Sequence, residues 1–299
     1  MLARRFVKRA LSSHVFTSLL VHVVKRSWAA YRSVSFSVLT KGIRIPVMTG
    51  LGLQNMTFSD KERRFVGLLR EILDTRAGAV IDVGANVGRF LLYLLQIDRE
   101  RSYVGFDVHV ACARYIEEII RLNDLKAHRV FPMGLSDHPG ILTLRTNNEH
   151  DVSATLVEGV YSEDWFALTK SVWVDSGDRV LSALDLRPIV LIKVDVEGGE
   201  IDVLSGLEET LRLQNPFLII EVIPPCESDR TDIQNFRRAR INALEQFLSS
   251  LGYAFRKIED GGTLRPVATL DPGTSTDISA MDYLCVPSLS FLPVEPASQ

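Results

Sequence analysis

Two short segments of this 299-residue chain place acids and glycines at spacings that suit ligand binding. The first, at 80–88, reads Val-Ile-Asp-Val-Gly-Ala-Asn-Val-Gly, an apolar run with one acid that ends in glycines four residues apart. Glycines permit a tight turn and a close approach of backbone to a ligand, and N–H groups at the start of a helix favour an anionic group. The alternative is a glycine-rich corner that only packs. The predicted ligand-binding residues of this segment are Asp82, Gly84, Ala85, Asn86 and Gly88.

The second segment, at 189–200, is an apolar run that ends in a cluster of charged residues. Three carboxylates and one lysine near a strand end should perturb each other's pKa values, which suits acid–base catalysis. We therefore predict Asp195, Glu197 and Lys193 as catalytic residues, with Asp195 the first choice for a base and Glu197 the second. The alternative is structural, because Glu197 and Glu200 would favour the dipole of the next helix and Lys193 would neutralise a neighbouring acid.

A further acid, Asp107, closes the apolar run at 103–106, about 20 residues beyond the glycines. An acid at this point of a nucleotide-binding sheet accepts hydrogen bonds from a ribose. Asp107 is therefore the predicted ribose ligand, and a surface acid without a ligand is the alternative. A dinucleotide fingerprint starting at Gly84 would need glycine at 86 and a small residue at 89, where this chain has Asn86 and Arg89. The spacing therefore argues against NAD and against a nucleotide-dependent oxidoreductase.

The residues at 82–88 resemble the first motif of the FkbM family of S-adenosyl-L-methionine (SAM) methyltransferases, which have a Rossmann-like fold. The sequence Lys-Val-Asp-Val-Glu-Gly-Gly-Glu at 193–200 is similar to that family's second signature, and the resemblance extends over about 43–287. It implies a SAM-dependent O-methyltransferase that acts on an alcohol hydroxyl of a sugar, a glycan or another secondary metabolite. It also implies that Ser136 and Asp137 line the adenine pocket as cofactor-binding residues, although an acid before His-Pro-Gly is equally typical of a turn.

Other functions compatible with the same motifs remain open. A non-catalytic or membrane-associated SAM-binding protein would retain Gly84 and Asp107 without the carboxylate cluster, and an N- or C-methyltransferase would share the first motif. Asp195, Glu197 and Glu221 could together hold Mg²⁺. The chain lacks the Asp-Asn pair of catechol-type enzymes, so we predict no metal site.

The pattern of apolar residues predicts an α/β protein with a Rossmann-like methyltransferase fold. We expect a mostly parallel, seven-stranded twisted sheet, flanked by helices, with an antiparallel C-terminal strand pair joined by a loop across 260–280. A capping box that starts at Ser59 predicts a helix over 60–74. The residues at 42–47 could form an edge strand, and the polar segment 147–180 is predicted to be an irregular loop that selects the substrate.

Composition and charge divide the chain into three predicted parts: a basic N-terminal arm or helical extension at 1–58, the methyltransferase domain at 59–287 and a C-terminal tail at 288–299. Nine lysines and arginines precede Asp60, the first acid. The apolar run at 10–24 is shorter than the ~20 residues that span a bilayer. Peripheral membrane contact through residues 1–45 is one prediction, and a basic helix that packs on the domain or stays mobile is the other.

Bulk properties indicate a soluble globular protein, since 46% of residues are hydrophobic and 24% charged. A net charge of −3 gives no reason to expect a nucleic-acid partner, and we expect a small molecule or glycan as substrate. Three widely separated cysteines without metal-ligand spacing indicate reduced thiols in the cytoplasm, with Cys226 the most accessible. The sequence makes no prediction of oligomeric state.

Overall fold

A mixed sheet is the centre of the fold in the computed structural model, which describes residues 36–47, 52, 55, 58–260, 262–270, 273–274 and 281–288. The described strands are β1 (Phe36–Thr40), β2 (Ile43–Val47), β3 (Ala79–Val83), β4 (Tyr103–Phe106), β5 (His128–Phe131), β6 (Gly134–Ser136), β7 (Gly140–Thr146), β8 (Leu168–Ser176), β9 (Ile189–Val194), β10 (Phe217–Val222), β11 (Tyr253–Glu259), β12 (Thr263–Val267) and β13 (Met281–Pro287). The described helices are α1 (Asp60–Asp74), α2 (Arg89–Leu94), α3 (Val110–Leu122), α4 (Gly177–Ala183), α5 (Glu200–Ser205), α6 (Glu208–Gln214) and α7 (Thr231–Ser250).

Within the described residues the main sheet has eight strands in the order β12-β11-β13-β10-β9-β3-β4-β5. Strands β5, β4, β3, β9 and β10 are parallel, in the order of a Rossmann-like sheet. Strand β13 is antiparallel to both β10 and β11. The predicted Rossmann-like fold with an antiparallel C-terminal pair is therefore confirmed. Because the strand order reverses between β3 and β9, the carboxyl ends of these strands are where such a fold binds ligands.

The central strands are apolar on both sides because the sheet is covered on both faces. In β10, Phe217 and Ile219 belong to one core cluster, whereas Leu218 and Ile220 belong to another. All four residues are at most 3% exposed. The continuous apolar character of these strands is thus the sequence signature of a buried parallel sheet.

Helix α1 begins as the capping box predicts. The Ser59 side chain accepts from the N–H of Glu62, and the Glu62 carboxylate accepts from the N–H of Ser59. Two backbone donors at the start of the helix are thereby satisfied.

The sheet has one strand more than predicted, because 263–267 forms a hairpin with β11 inside the expected loop over 260–280. The segment 147–180 is not irregular throughout, since it contains β8, which pairs with β6 and β7 in a separate three-stranded sheet. The residues at 42–47 lie in a two-stranded sheet with β1 rather than at the edge of the main sheet. These strands are partly exposed or rich in polar residues, so their patterns are weak.

The described part of the predicted arm packs against the domain. Ile43 and Ile45 are buried in the core, and the Tyr115 hydroxyl of α3 donates to the Pro46 carbonyl at 2.8 Å. Most of the arm lies outside the described residues, as does the predicted tail beyond Ser288. The domain boundaries therefore stay predictions.

Two observations bear on the wider environment of the chain. None of the helices in the described ranges combines the length and apolar character that crossing a bilayer requires. Cys112, Cys226 and Cys285 are free and buried. The expectation that Cys226 is accessible was wrong, because the residue is only 2% exposed.

Candidate active site

A cavity of about 450 Å³ lies at the carboxyl ends of β3, β4 and β9, where the topology predicts a ligand crevice. Its volume is in the range of small-molecule sites. Residues of the loop at 151–157 also line it, which agrees with a role for this segment in ligand selection. The sequence-predicted residues in the lining are Gly84, Asn86, Asp107, Ser136, Asp195 and Glu197.

The turn after β3 is built by backbone conformations that glycine favours. Gly84 has φ +79°, and a Cβ at this position would lie 1.7 Å from the carbonyl oxygen of Asp195. Gly88 has φ +70° and immediately precedes α2. Gly84 therefore serves the contact between the β3 and β9 turns, which is the packing alternative, and it also lines the cavity.

Asp107 links the ends of β3 and β4. Its Oδ2 atom accepts from the N–H of Asn86 and its Oδ1 atom from the N–H of His109, both at 2.7 Å. Burial raises the pKa of Asp107 to about 6. Each oxygen of an ionised carboxylate can accept a further hydrogen bond. Asp107 is thus fixed in place and retains the capacity to bind hydroxyl groups.

Two residues next to Asp107 carry polar atoms that lack a partner. The Oδ1 atom of Asn86 and the Nε2 atom of His109 are buried and have no hydrogen-bond partner among the described residues. Both residues line the cavity. Buried polar atoms are rarely left unsatisfied, so these two point to a ligand with matching polar groups. Sequence reasoning missed His109, whose only signal was its position two residues after Asp107.

Three of the predicted cofactor-binding residues do not line the cavity. Asp82 is fully buried behind the turn and accepts from the Tyr103 hydroxyl at 2.7 Å. Ala85 is buried in the core, and Asp137 contacts Ser136 and His138 near the surface. Their positions indicate support of the turns around the cavity rather than direct ligand contact.

The predicted catalytic lysine is also structural in its contacts. The Nζ atom of Lys193 lies 2.9 Å from Asp195 Oδ2 and 3.4 Å from Asp82 Oδ1, and donates to the Gly84 carbonyl at 2.9 Å. Lys193 is not among the cavity residues. It therefore joins β3 to β9 and balances two buried acids.

Three carboxylates converge at the ends of β9 and β10. One oxygen from each of Asp195, Glu197 and Glu221 lies within 4.8 Å of the others. Burial alone would raise the pKa of Asp195, but the Lys193 ammonium holds it below its usual value. Burial, together with the hydrogen bond and the charge of Asp195, raises the pKa of Glu221 strongly. Asp195 is therefore the ionised member of this pair and Glu221 the protonated one.

Glu197 differs from Asp195 in its surroundings and in its backbone. Burial raises its pKa to about 8, although a 2.6 Å hydrogen bond from the Tyr161 hydroxyl acts in the opposite direction. Its φ of +54° is unusual for a residue with a side chain. Thr155 Oγ1 donates to the Glu197 carbonyl at 2.7 Å and helps to fix this conformation. Strained residues of this kind concentrate at functional sites.

Tyr161 is held by a buried arginine of α7. Arg237 is 3% exposed, and its Nε donates to the Val160 carbonyl at 2.8 Å. Its guanidinium lies 5.2 Å from the centre of the Tyr161 ring. Sequence reasoning missed both residues because 36 positions separate Tyr161 from Glu197 and no local pattern joins them.

Comparisons with known proteins agree with this geometry. The methyltransferase FkbM domain family matches residues 82–255. "Methyltransferase sdnD" of Sordaria araneosa is 29% identical over 156 residues, which cover 44% of this chain and 60% of that protein. "Methyltransferase 1" of Beauveria bassiana (strain ARSEF 2860) is 26% identical over 149 residues, which cover 44% of this chain and 58% of that protein. The aligned region thus spans less than two thirds of either relative.

Among solved structures, methyltransferase FkbM from Methylobacillus flagellatus KT is similar with a TM-score of 0.43 and 14% identity, covering 70% of this chain and 43% of that chain. The family match includes the glycine turn, Asp107 and the carboxylate cluster, and it covers more than half of the 299 residues. This chain therefore belongs to the FkbM methyltransferase family.

Proposed function

We propose that this protein is a SAM-dependent O-methyltransferase that acts on an alcohol hydroxyl of a sugar, a glycan or another secondary metabolite. The observation that carries the proposal is one cavity that joins a predicted ribose ligand, Asp107, to a carboxylate of raised pKa, Glu197. The first of these residues suits binding of a nucleoside, and the second suits removal of a proton. Both lie within the region matched by the family.

The residues of the cavity fit SAM. Asp107 can accept hydrogen bonds from the ribose hydroxyls, and the unpartnered atoms of Asn86 and His109 offer further polar contacts. Val108, Met133, Leu135 and neighbouring side chains supply apolar surface for the base. When bound, SAM supplies a methyl group that its sulfonium centre already activates.

The chain must supply a base, because an alcohol stays protonated at neutral pH. A general base is most effective when its pKa lies near the working pH. The pKa of Glu197 is about 8, whereas Lys193 holds the pKa of Asp195 low. We therefore propose Glu197 as the group that takes the hydroxyl proton. Asp195, the first choice from sequence, would fix the charge of Lys193 and share a proton with Glu221.

Transfer is proposed to be independent of metal, although Asp195, Glu197 and Glu221 are close enough to share a cation. The Lys193 ammonium already lies 2.9 Å from Asp195 and neutralises part of the cluster. Unchanged turnover in EDTA would support this assignment, and loss that Mg²⁺ restores would replace it with a metal site. A non-catalytic SAM-binding protein and an N- or C-methyltransferase are distinguished by analysis of the product.

The proposed cellular setting is the cytoplasm, with peripheral membrane contact through residues 1–45 and no nucleic-acid partner. The basic residues before Asp60 support membrane contact. Absence of binding of the full chain to anionic liposomes would contradict that contact.

The test of the proposed function is calorimetric binding of S-adenosylhomocysteine (SAH), the demethylated product, to the full chain. We expect Asp107→Asn to weaken binding by about tenfold or more, since hydrogen bonds to a charged group are lost. Asp178→Asn is the matched control, because Asp178 also accepts from two backbone N–H groups but lies outside the cavity lining. No affinity of the folded parent protein for SAH or SAM would overturn the proposal.

A further inference from the structure

A second, smaller cavity of about 140 Å³ adjoins the first. Val157 lines both cavities, and the segment 157–166 provides most of the second one. Tyr161 and Phe166 contribute its aromatic surface.

Tyr161 connects this second cavity to the proposed base. Its hydroxyl donates to Glu197 Oε2 at 2.6 Å, and Glu197 lines the first cavity. The Tyr161 ring stacks on Trp165, with ring centres 5.3 Å apart, and meets Phe166 edge-on at 5.5 Å. With Arg237 on α7, these contacts hold the wall between the two cavities in place.

The size of the second cavity suits a single ring. An apolar protein cavity of about 150 Å³ accommodates benzene, so a six-membered ring is the largest rigid group expected here. Aromatic walls are suited to the face of such a ring.

The charges around the second cavity favour some ligands over others. Glu158 and Glu163 both line it, and Arg145 pairs with Glu158 at 2.6 Å. Within the described ranges Glu163 forms no ion pair, so two carboxylates face one guanidinium. The excess negative charge should attract cationic groups and repel anionic ones.

We propose that the second cavity is the acceptor subsite, which holds the ring of a neutral or cationic alcohol and disfavours anionic acceptors. This inference rests on the proposed function. The ring of the acceptor would lie against Tyr161 and Phe166, with its hydroxyl toward Glu197. During transfer the hydroxyl oxygen forms a bond to the methyl carbon, the carbon–sulfur bond of SAM breaks with its electrons moving to sulfur, and Glu197 accepts the proton. Tyr161 is a positioning residue in this scheme.

The test uses Trp165 as a reporter in the full chain. The sequence has three tryptophans, so the double variant Trp28→Phe/Trp173→Phe leaves Trp165 as the single fluorescent tryptophan. With SAH present, three probes that differ in charge are titrated: trans-4-aminocyclohexanol, trans-1,4-cyclohexanediol and trans-4-hydroxycyclohexanecarboxylate. We expect saturable fluorescence changes with the first two, and a Kd for the amine at least about fivefold lower than for the carboxylate.

The charge preference should depend on one glutamate. Glu163→Gln should reduce the difference between amine and carboxylate, whereas the control Glu208→Gln, in α6 and outside both cavities, should leave it unchanged. If SAH binds but none of the probes binds, or the carboxylate binds as tightly as the amine, the inference is overturned and the proposed function stands. Failure of SAH itself to bind would overturn both.

Discussion

Two carboxylates of the same turn have different properties because their neighbours differ. Asp195 faces the Lys193 ammonium at 2.9 Å, which favours its ionised form. Glu197 is two residues further along, is buried without a cation at this distance among the described residues, and accepts from the neutral Tyr161 hydroxyl. Environments that push neighbouring pKa values apart commonly divide the roles of paired acids. The same reasoning assigns the base to Glu197 here.

Turnover of an acceptor that the enzyme methylates should depend on pH through Glu197. The group is protonated below its pKa of about 8 and active above it, so the rate should rise with pH and level off beyond that value. Glu197→Gln should lower kcat by about 100-fold or more and remove this rise. The measurement is kcat against pH at saturating SAM. A retained rise in the variant would exclude Glu197 as the base.

Removal of the Tyr161 hydroxyl should shift the same profile without abolishing it. The hydrogen bond to Glu197 favours the ionised carboxylate, so Tyr161→Phe should move the midpoint to higher pH. Tyr253→Phe is the matched control, because its hydroxyl donates to the Pro216 carbonyl at 2.9 Å, away from either cavity. An unchanged midpoint in Tyr161→Phe, or an equal shift in the control, would remove Tyr161 from its positioning role.

At the scale of elements, local pattern predicted the strands that carry the site. The apolar runs of β3 and β9 and the acids and glycines after them are contiguous in sequence, so the pattern alone located the turns at Gly84 and Asp195. The sequence Leu-Thr-Lys-Ser-Val-Trp-Val-Asp-Ser of β8 is rich in polar residues because this strand belongs to a partly exposed sheet. β12 contains a proline and is exposed at the edge of its sheet, so it was also missed. Contacts such as Tyr161 with Glu197 depend on tertiary structure and have no local signal.

Gly84 and Gly42 together allow the packing of the two turns to be measured. Their φ values, +79° and +77°, are nearly equal, but a Cβ at Gly84 would lie 1.7 Å from a carbonyl oxygen, whereas one at Gly42 would meet nothing within 4 Å. Gly42→Ala should therefore cost only about 1–2 kcal/mol for the left-handed backbone. Gly84→Ala should cost clearly more, because the β3 and β9 turns must separate. Urea denaturation measures both, and equal losses would show that close contact does not fix Gly84.

At the scale of the whole molecule, buried acids are concentrated at one edge of the sheet. Burial raises the pKa of Glu200 to about 7 and of Asp282 to about 6, in addition to Glu197 and Asp107. Such groups bind protons in the folded state at pH values where the unfolded chain has released them. The site is therefore held together at some cost in stability at neutral and alkaline pH, as is common for functional sites.

The stability of the folded protein should fall as pH rises from 6.5 to 8. Across this interval the unfolded glutamates, with an ordinary pKa of 4.5, are ionised, while Glu197 and Glu200 lose their protons only near 8 and 7 in the folded state. The folded state thus binds more protons, and the free energy of unfolding must decrease with pH. Buried His109 and His128 act in the opposite direction, because burial lowers their pKa values, but only below the ordinary histidine value of 6.5.

Differential scanning calorimetry without ligand should therefore show a Tm several degrees lower at pH 8 than at pH 6.5. Glu197→Gln removes the group with the higher of these two pKa values, so its Tm should decrease less over the same interval. Glu208→Gln removes a partly exposed glutamate of α6 and should retain the dependence of the parent protein. A Tm that is constant or rises with pH would mean that these carboxyl groups are ionised in the folded state at pH 6.5. Glu197 would then be a weaker base than its burial implies.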